Sequence, residues 1–258
     1  RLAGGDSGPG RLAEPGEIFD AVASVLATGS PGPLAGVRVL VSAGGTREPL
    51  DPVRFIGNRS SGKQGHALAD RAAAGGAEVT LVTTVDLRTD SRVRVVRVET
   101  AAQMEAAMVD LARPADIVVL AAAVADFRPR TAHPTKLRRG DGPPEVVLEP
   151  VPDISAALAR AKPAGQVLVG FAAETAAGPP DLVTRARAKL DAKGLDLIVA
   201  NDVSAPEVGF EHDTNAVTIV GAGGEVMEVP LAPKATVADA VLVAAKAVLD
   251  GGGAGLAR

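Results

Sequence analysis

The sequence predicts an α/β domain with a three-layer, mostly parallel sheet covered by helices on both faces, a Rossmann-like arrangement with a C-terminal β-hairpin and a mobile flap. Short apolar runs alternate with amphipathic helical segments through most of the chain. Runs such as Ile117-Val118-Val119-Leu120 are apolar on both faces, as strands covered by helices on two sides must be. Between the regular segments lie connections rich in Pro, Gly and basic residues, placed after strands, where α/β domains carry their ligand sites.

The elements follow in order. A first strand is predicted over residues 37–41, and after a long loop a helix over 63–74. A strand over 79–83, a strand over 93–98, a helix over 101–112 and a strand over 117–121 continue the alternation. The rhythm then stops between residues 122 and 145. It resumes with a helix over 154–161, which opens behind Asp153, a natural N-cap whose following N–H groups can hold a ligand. A strand over 167–171, a helix over 181–192 behind Pro179-Pro180 and a strand over 195–200 come next. Residues 216–220 and 226–229 alternate apolar and polar and are joined by Gly221-Ala222-Gly223-Gly224, which reads as a hairpin. A closing helix is predicted over 237–249. Near the start, residues 17–28 fit one amphipathic helix and GSPGP, residues 29–33, reads as a linker. The chain opens at Arg1 without an initiator Met, so residues 1–35 read as the end of a preceding domain plus linker, 36–250 as the domain proper, and 251–258 as a flexible tail.

With 258 residues and 47% hydrophobic content the chain can bury a substantial core. There is no Trp or Tyr and only five Phe, so Val, Leu, Ile and Ala must do the packing, and stacking of bases on aromatic platforms is disfavoured. A net charge of −4 and a pI near 5.5 argue against nucleic acid as a partner. The absence of cysteine excludes disulfides, thiolate metal sites and a catalytic thiol. His66, His133 and His212 have no mutual metal-ligand spacing. No apolar stretch approaches the ~20 residues of a membrane span. The expectation is a soluble cytoplasmic protein with no membrane partner.

Three stretches carry chemistry. The first is SAGGTREPLDPVRFIGNRSSGKQG, residues 42–65, directly after the first strand. Its Gly57, Gly62 and Lys63 satisfy the G-x-x-x-x-G-K spacing of a phosphate-binding loop, but Gln64 stands where that motif needs a hydroxyl for Mg²⁺. The second is DFRPRTAHPTKLRRGDGPP, residues 126–144, which opens at the same sheet edge. It is either a flap carrying Lys136, Arg138 and Arg139 over a phosphate-bearing substrate or a solvated basic loop. The third is the helix after Pro179-Pro180, where Arg185, Lys189 and Lys193 fall at spacings of four, leaving Leu182, Ala186 and Leu190 for the core. That stripe is either a solvated face or a grip for a triphosphate, depending on its place relative to the strand ends.

Together with VPDI, GFAAET, LDLIVANDVS, the later GF and DTN, and AAAVADFRP followed by Lys136, the first stretch resembles the phosphopantothenoylcysteine synthetase family, the phosphopantothenate–cysteine ligases of coenzyme A biosynthesis. The likeness is to the C-terminal half of the bacterial bifunctional decarboxylase/synthetase, covers about residues 36–250, and rests on several separated motifs in order. GRLAEPGEI, residues 10–18, resembles the end of the preceding flavin-dependent decarboxylase domain, the only part that would carry FMN. The resemblance implies a reaction using CTP and Mg²⁺. The carboxylate of 4'-phosphopantothenate attacks the α-phosphate, pyrophosphate leaves, and the amine of cysteine displaces CMP from the acyl-cytidylate. No enzyme nucleophile is required, in keeping with the lack of cysteine.

The resemblance also implies roles. Leu120, Ala121, Ala122 and Asp126 would recognise cytosine, with further nucleotide contacts at Pro152, Asp153, Ile154, Ser155 and Phe171. Lys136, Lys189 and Lys193 would hold the triphosphate, Lys136 stabilising charge during activation. Asn58 would bind the acyl intermediate, Arg54 would support the carboxylate end or a neighbouring subunit, and Ser60, Ser61 and Gly62 would take the substrate's phosphate. Asp126 as a turn residue, Phe171 as plain core and Arg54 as an interface ion pair are the alternatives. The family implies a homodimer, and a higher oligomer in the full-length bifunctional protein, but no hydrophobic pattern identifies an interface and no metal ligand stands out. Two other functions fit the fold: a NAD(P)-dependent oxidoreductase, although no G-x-G-x-x-G follows the first strand, and a non-catalytic nucleotide sensor.

Overall fold

The computed structural model describes residues 32–203 and 212–251. The helix expected over 17–28, the resemblance at 10–18, the Gly209-Phe210 motif and the tail beyond residue 251 lie outside the described residues.

Eight strands form one sheet in the order β12-β11-β10-β9-β6-β1-β4-β5. They are β1 (Arg38–Ala43), β4 (Glu78–Thr83), β5 (Arg94–Arg97), β6 (Ile117–Leu120), β9 (Val167–Glu174), β10 (Leu197–Asp202), β11 (Thr214–Gly221) and β12 (Val226–Pro233). β5 through β10 pair in parallel, and β11 and β12 extend the sheet as an antiparallel hairpin. Read from β5, the six parallel strands run third, second, first, fourth, fifth, sixth, the doubly wound order in which the chain reverses direction between β1 and β6.

The side chains of β1 show why the five α-helices of the described residues cover both faces. Val39 and Val41 join a core with α1 (Lys63–Ala74) and α5 (Lys234–Leu249), through Leu68, Ala72, Val237 and Val241. Leu40 points the other way, into a core with α2 (Ala101–Ala112), α3 (Ile154–Ala161) and α4 (Pro179–Lys193), through Met104, Met108, Leu158, Leu182 and Leu190. Each fully buried side chain of this kind contributes about 1.5–3 kcal/mol over leaving it in water. Local signals set the helix starts. Thr100 caps α2 in a reciprocal capping box with Gln103, and the buried carboxylate of Glu48 accepts from the Ala101 N–H at 2.8 Å. Pro179 and Pro180 occupy the first turn of α4, where missing N–H groups cost nothing.

The structure bears out the predicted α/β class and differs in detail. Two small antiparallel sheets were not anticipated: β2 (Arg47–Pro49) with β3 (Phe55–Gly57), and β7 (Phe127–Pro129) with β8 (Leu148–Pro150). Strands of three residues show no measurable period, and Pro49, Pro129 and Pro150 mark them as edge pairings. Hence the expected flap is the connection between β7 and β8. β11 and α5 also begin earlier than predicted, at Thr214 and Lys234, while β12 begins at Val226 as predicted and runs on to Pro233. Leu34 is already buried, its N–H donating to the Gly75 carbonyl at 2.9 Å, so packing begins just before residue 36. No helix among the described residues is long and apolar enough to cross a membrane.

Candidate functional site

The loops after β1 and β6 are stitched together where the winding reverses. The Ala123 N–H donates to the Gly44 carbonyl at 2.8 Å, Thr46 N–H to the Ala123 carbonyl at 3.2 Å, and Ala125 N–H to the Thr46 hydroxyl at 2.9 Å. Ser42 Oγ accepts from the Ala122 N–H at 3.2 Å. A side chain at Gly45 would put its Cβ 2.6 Å from the Asn58 carbonyl, so only glycine lets the Asn58 loop close over the crevice. Asn58 Nδ2 donates to the carbonyls of Ala123 at 3.2 Å and Val124 at 3.0 Å, tying the two loops together.

On the α2, α3 and α4 face of the sheet the crevice deepens into a cleft of about 540 Å³. Leu120, Ala122, Asp126, Pro152, Asp153, Ile154, Ser155, Phe171, Lys189 and Lys193 all line it, so residues spread over more than seventy positions converge as expected. Asp153 caps α3, its Oδ1 accepting from the Ala156 N–H at 3.1 Å and the Ser155 hydroxyl at 2.6 Å, while Oδ2 pairs with Lys193 Nζ. Partial burial pushes this carboxyl up, but Lys193, Ser155 and the Ala156 N–H outweigh it and bring it down to about 2. Lys189 Nζ lies 2.5 Å from Glu174 Oε1. The basic stripe divides here. Arg185 bonds Asp181 at 2.9 Å one turn back, and only the two lysines face the cleft.

A second, smaller pocket of about 90 Å³ opens on the other side of Phe171, lined by Ser60, Ser61, Gly62 and Ala121. Gly62 occupies the N-cap of α1 at φ 76° with no side-chain cap, and the first turn of the helix, Lys63 to Gly65, lines the pocket. A side chain there would be strained and would meet Val85 Cγ2 at 2.5 Å. Three residues with no assigned role in the sequence complete the pocket: Asn201, Asn215 and Lys234, which are 8%, 5% and 6% exposed. Asn201 and Asn215 stood inside the quoted LDLIVANDVS and DTN motifs; Lys234 carried no signal. Its ammonium donates to the His212 carbonyl, and burial, then the nearby Lys63, lowers its pKa to about 8. Lys63 pairs with Asp213 at 2.7 Å, and Gly57 belongs to β3, so no phosphate-binding loop of the NTPase kind forms.

The profile of the DNA/pantothenate metabolism flavoprotein C-terminal domain matches residues 34–248. The chain belongs to that family. A coenzyme A biosynthesis bifunctional protein CoaBC from Mycobacterium bovis is 48% identical over 225 residues, 83% of this chain and 54% of the relative. A cysteine/cysteine sulfinic acid decarboxylase from an unidentified prokaryote is 47% identical over 241 residues, 92% of this chain and 66% of the relative. The chain thus spans about half to two thirds of these curated relatives. The crystal structure of the C-terminal domain of a CoaBC protein matches with TM-score 0.71 and 38% identity, covering 84% of this chain and 98% of that one.

In this family member the two remaining predicted residues stand apart from both cavities. Arg54 Nη2 bonds Asp51 Oδ2 at 2.5 Å and the Leu137 carbonyl at 2.7 Å, so its head is engaged by the flap. Lys136, next to Leu137, is exposed and lines neither cavity. Among the described residues, no three His, Cys, Asp or Glu side chains gather as a metal cage.

Proposed function

We propose that this domain ligates cysteine to 4'-phosphopantothenate at the expense of CTP, releasing pyrophosphate and then CMP, in coenzyme A biosynthesis in the cytoplasm. The observation that carries this reading is the pair of cavities on either side of Phe171: a large cleft with two lysines and a small pocket at an uncapped helix start. One suits a nucleoside triphosphate and the other a phosphate monoester. The membership in a pantothenate-metabolism family and the CoaBC names of its relatives point the same way.

On this reading the nucleotide lies in the large cleft, its base against Leu120, Ala122 and Asp126 and its phosphates drawing Lys189 and Lys193 from their carboxylate partners; Ala121, expected with them, faces the small pocket instead. The substrate's phosphate sits at Ser60, Ser61 and Gly62. Its carboxylate then reaches the switch point, near Asn58, where an oxygen attacks the α-phosphorus and pyrophosphate departs. Asn58 orients the acyl-cytidylate, the cysteine nitrogen attacks its carbonyl carbon, CMP leaves and the nitrogen gives up a proton. Catalysis rests on placement and on cations facing developing charge. With no carboxylate cage among the described residues, Mg²⁺ would be held chiefly by the triphosphate and water, supplying charge neutralisation there. The decarboxylase name of one relative belongs, on this reading, to the flavin domain that this chain does not span.

A homodimer belongs to the same reading. Phe55, Phe127, Val147 and Leu148 are exposed on or beside the two small sheets, which touch through β2 and β7. Large apolar side chains gathered in this way mark a surface that another chain covers, and the second copy of this chain is the occupant we assign. Pyrophosphate release that requires both CTP and phosphopantothenate tests the function. Release without phosphopantothenate, or none with both, would overturn it, and binding of NADH instead would favour an oxidoreductase.

A further inference from the structure

Asp51 is the one fully buried acid in the loop between β2 and β3, and the ligation scheme gives it no task. Its Oδ1 accepts from the N–H groups of Val53 and Arg54, both at 2.8 Å. Its Oδ2 accepts from Arg54 Nε at 2.9 Å, Arg54 Nη2 at 2.5 Å and the Leu137 N–H at 3.1 Å. Arg54 Nη2 in turn donates to the Leu137 carbonyl at 2.7 Å. One ion pair therefore holds both polar groups of the Leu137 residue, from 83 to 86 positions away in sequence. The His133 N–H adds a second tie, to the Leu50 carbonyl at 2.9 Å.

An exposed ion pair would deserve little weight. This carboxylate is different, because it is shielded from water and accepts five hydrogen bonds from three residues, one of them on the flap. Burial pushes its pKa up, but the bonds from Arg54, Val53 and Leu137 prevail and hold it far below the ordinary carboxylate range. The charge is present at any working pH. A basic segment between Pro129 and Leu148 would otherwise sample many positions, and a lysine on it would be rarely in place.

We propose that Asp51 is a positioning residue: with Arg54 it clamps the peptide groups of Leu137 and so fixes the backbone from which Lys136 reaches the reacting phosphates. This rests on the role of Lys136 in the proposed ligation. Arg54 thereby acts on the flap.

The test has two independent readouts. Asp51→Asn keeps the size of the side chain but turns a donor toward donors. Trypsin should cut the variant after Arg138 and Arg139 at least several-fold faster than the wild type, at a temperature well below the melting point of both. In steady state, kcat should fall about 10-fold or more while the KM for CTP moves little, as expected when a reacting group is misplaced. In a Lys136→Gln background the same substitution should leave kcat nearly unchanged, since its effect runs through that lysine. Equal losses of kcat in both backgrounds, or identical trypsin rates, would overturn the proposal. If Asp51→Asn fails to fold, Arg54→Lys keeps a cation beside Asp51 but cannot fork to the Leu137 carbonyl, and it permits the same comparisons. A wild type without CTP-dependent pyrophosphate release would sink the ligase reading, while the cleavage rates still decide whether the clamp exists.

Discussion

Lys136 and Lys234 show how two lysines differ in what their charge can do. Lys136 is exposed on the flap and away from both cavities, so on the proposed reading it meets substrate only when its side chain swings in. Lys136→Gln should therefore reduce kcat for carboxylate activation on the order of 100-fold while calorimetric affinity for CTP changes little. A large loss of affinity at unchanged kcat would make it a plain binding residue. Lys234 is buried at the small pocket with its pKa lowered to about 8. The unfolded chain thus holds this proton more tightly than the folded one. Its burial costs stability below about 8, and the cost fades as pH climbs toward the ordinary lysine value of 10.5. Lys234→Met should remove that rise in stability between pH 8 and 10.5, read by urea denaturation across pH, and should weaken phosphopantothenate binding at pH 7. A stability profile that keeps its slope would show that another group titrates there.

At the scale of elements, α3 links folding to the site. Its cap, Asp153, also anchors Lys193 in the wall of the large cleft. Asp153→Ala should cost about 1 kcal/mol from the lost cap, measured by chemical denaturation, and should alter CTP affinity because Lys193 loses its partner. Stability lost with no change in CTP affinity would confine Asp153 to a structural part. The cap's contribution is present above the ordinary carboxylate range near 4 and fades as pH falls toward about 2. The bounds of α1, α2 and α3 coincide with those read from the sequence, because each carries its own amphipathic period and α2 and α3 also open behind a capping side chain. β2, β3, β7 and β8 were invisible, since strands of three residues take their form from pairing alone.

For the whole molecule, the exposed apolar side chains on those small sheets predict assembly. Phe127→Asp, on a surface that the folded chain leaves 53% exposed at that residue, should spare folding and shift the light-scattering mass from dimer to monomer. An unchanged dimer would move the interface elsewhere. Because Arg54 and the flap lie beside this region, a monomer should also lose activity, whereas loss of activity with the dimer intact would point back to the clamp.

The sequence alone determined the alternation of strands and helices and pointed to many of the residues that the structure gathers in the large cleft. These are legible because apolar periods, capping residues and motif order are local properties. The roles of Asn201, Asn215, Lys234 and Asp51 were not. Lys234 becomes a pocket residue only when β12 delivers the start of α5 beside the start of α1, and Asp51 becomes a clamp only when the flap returns from more than eighty residues away. Burial and long-range pairing create those properties, and only the tertiary structure decides which polar side chain is enclosed and what it then faces.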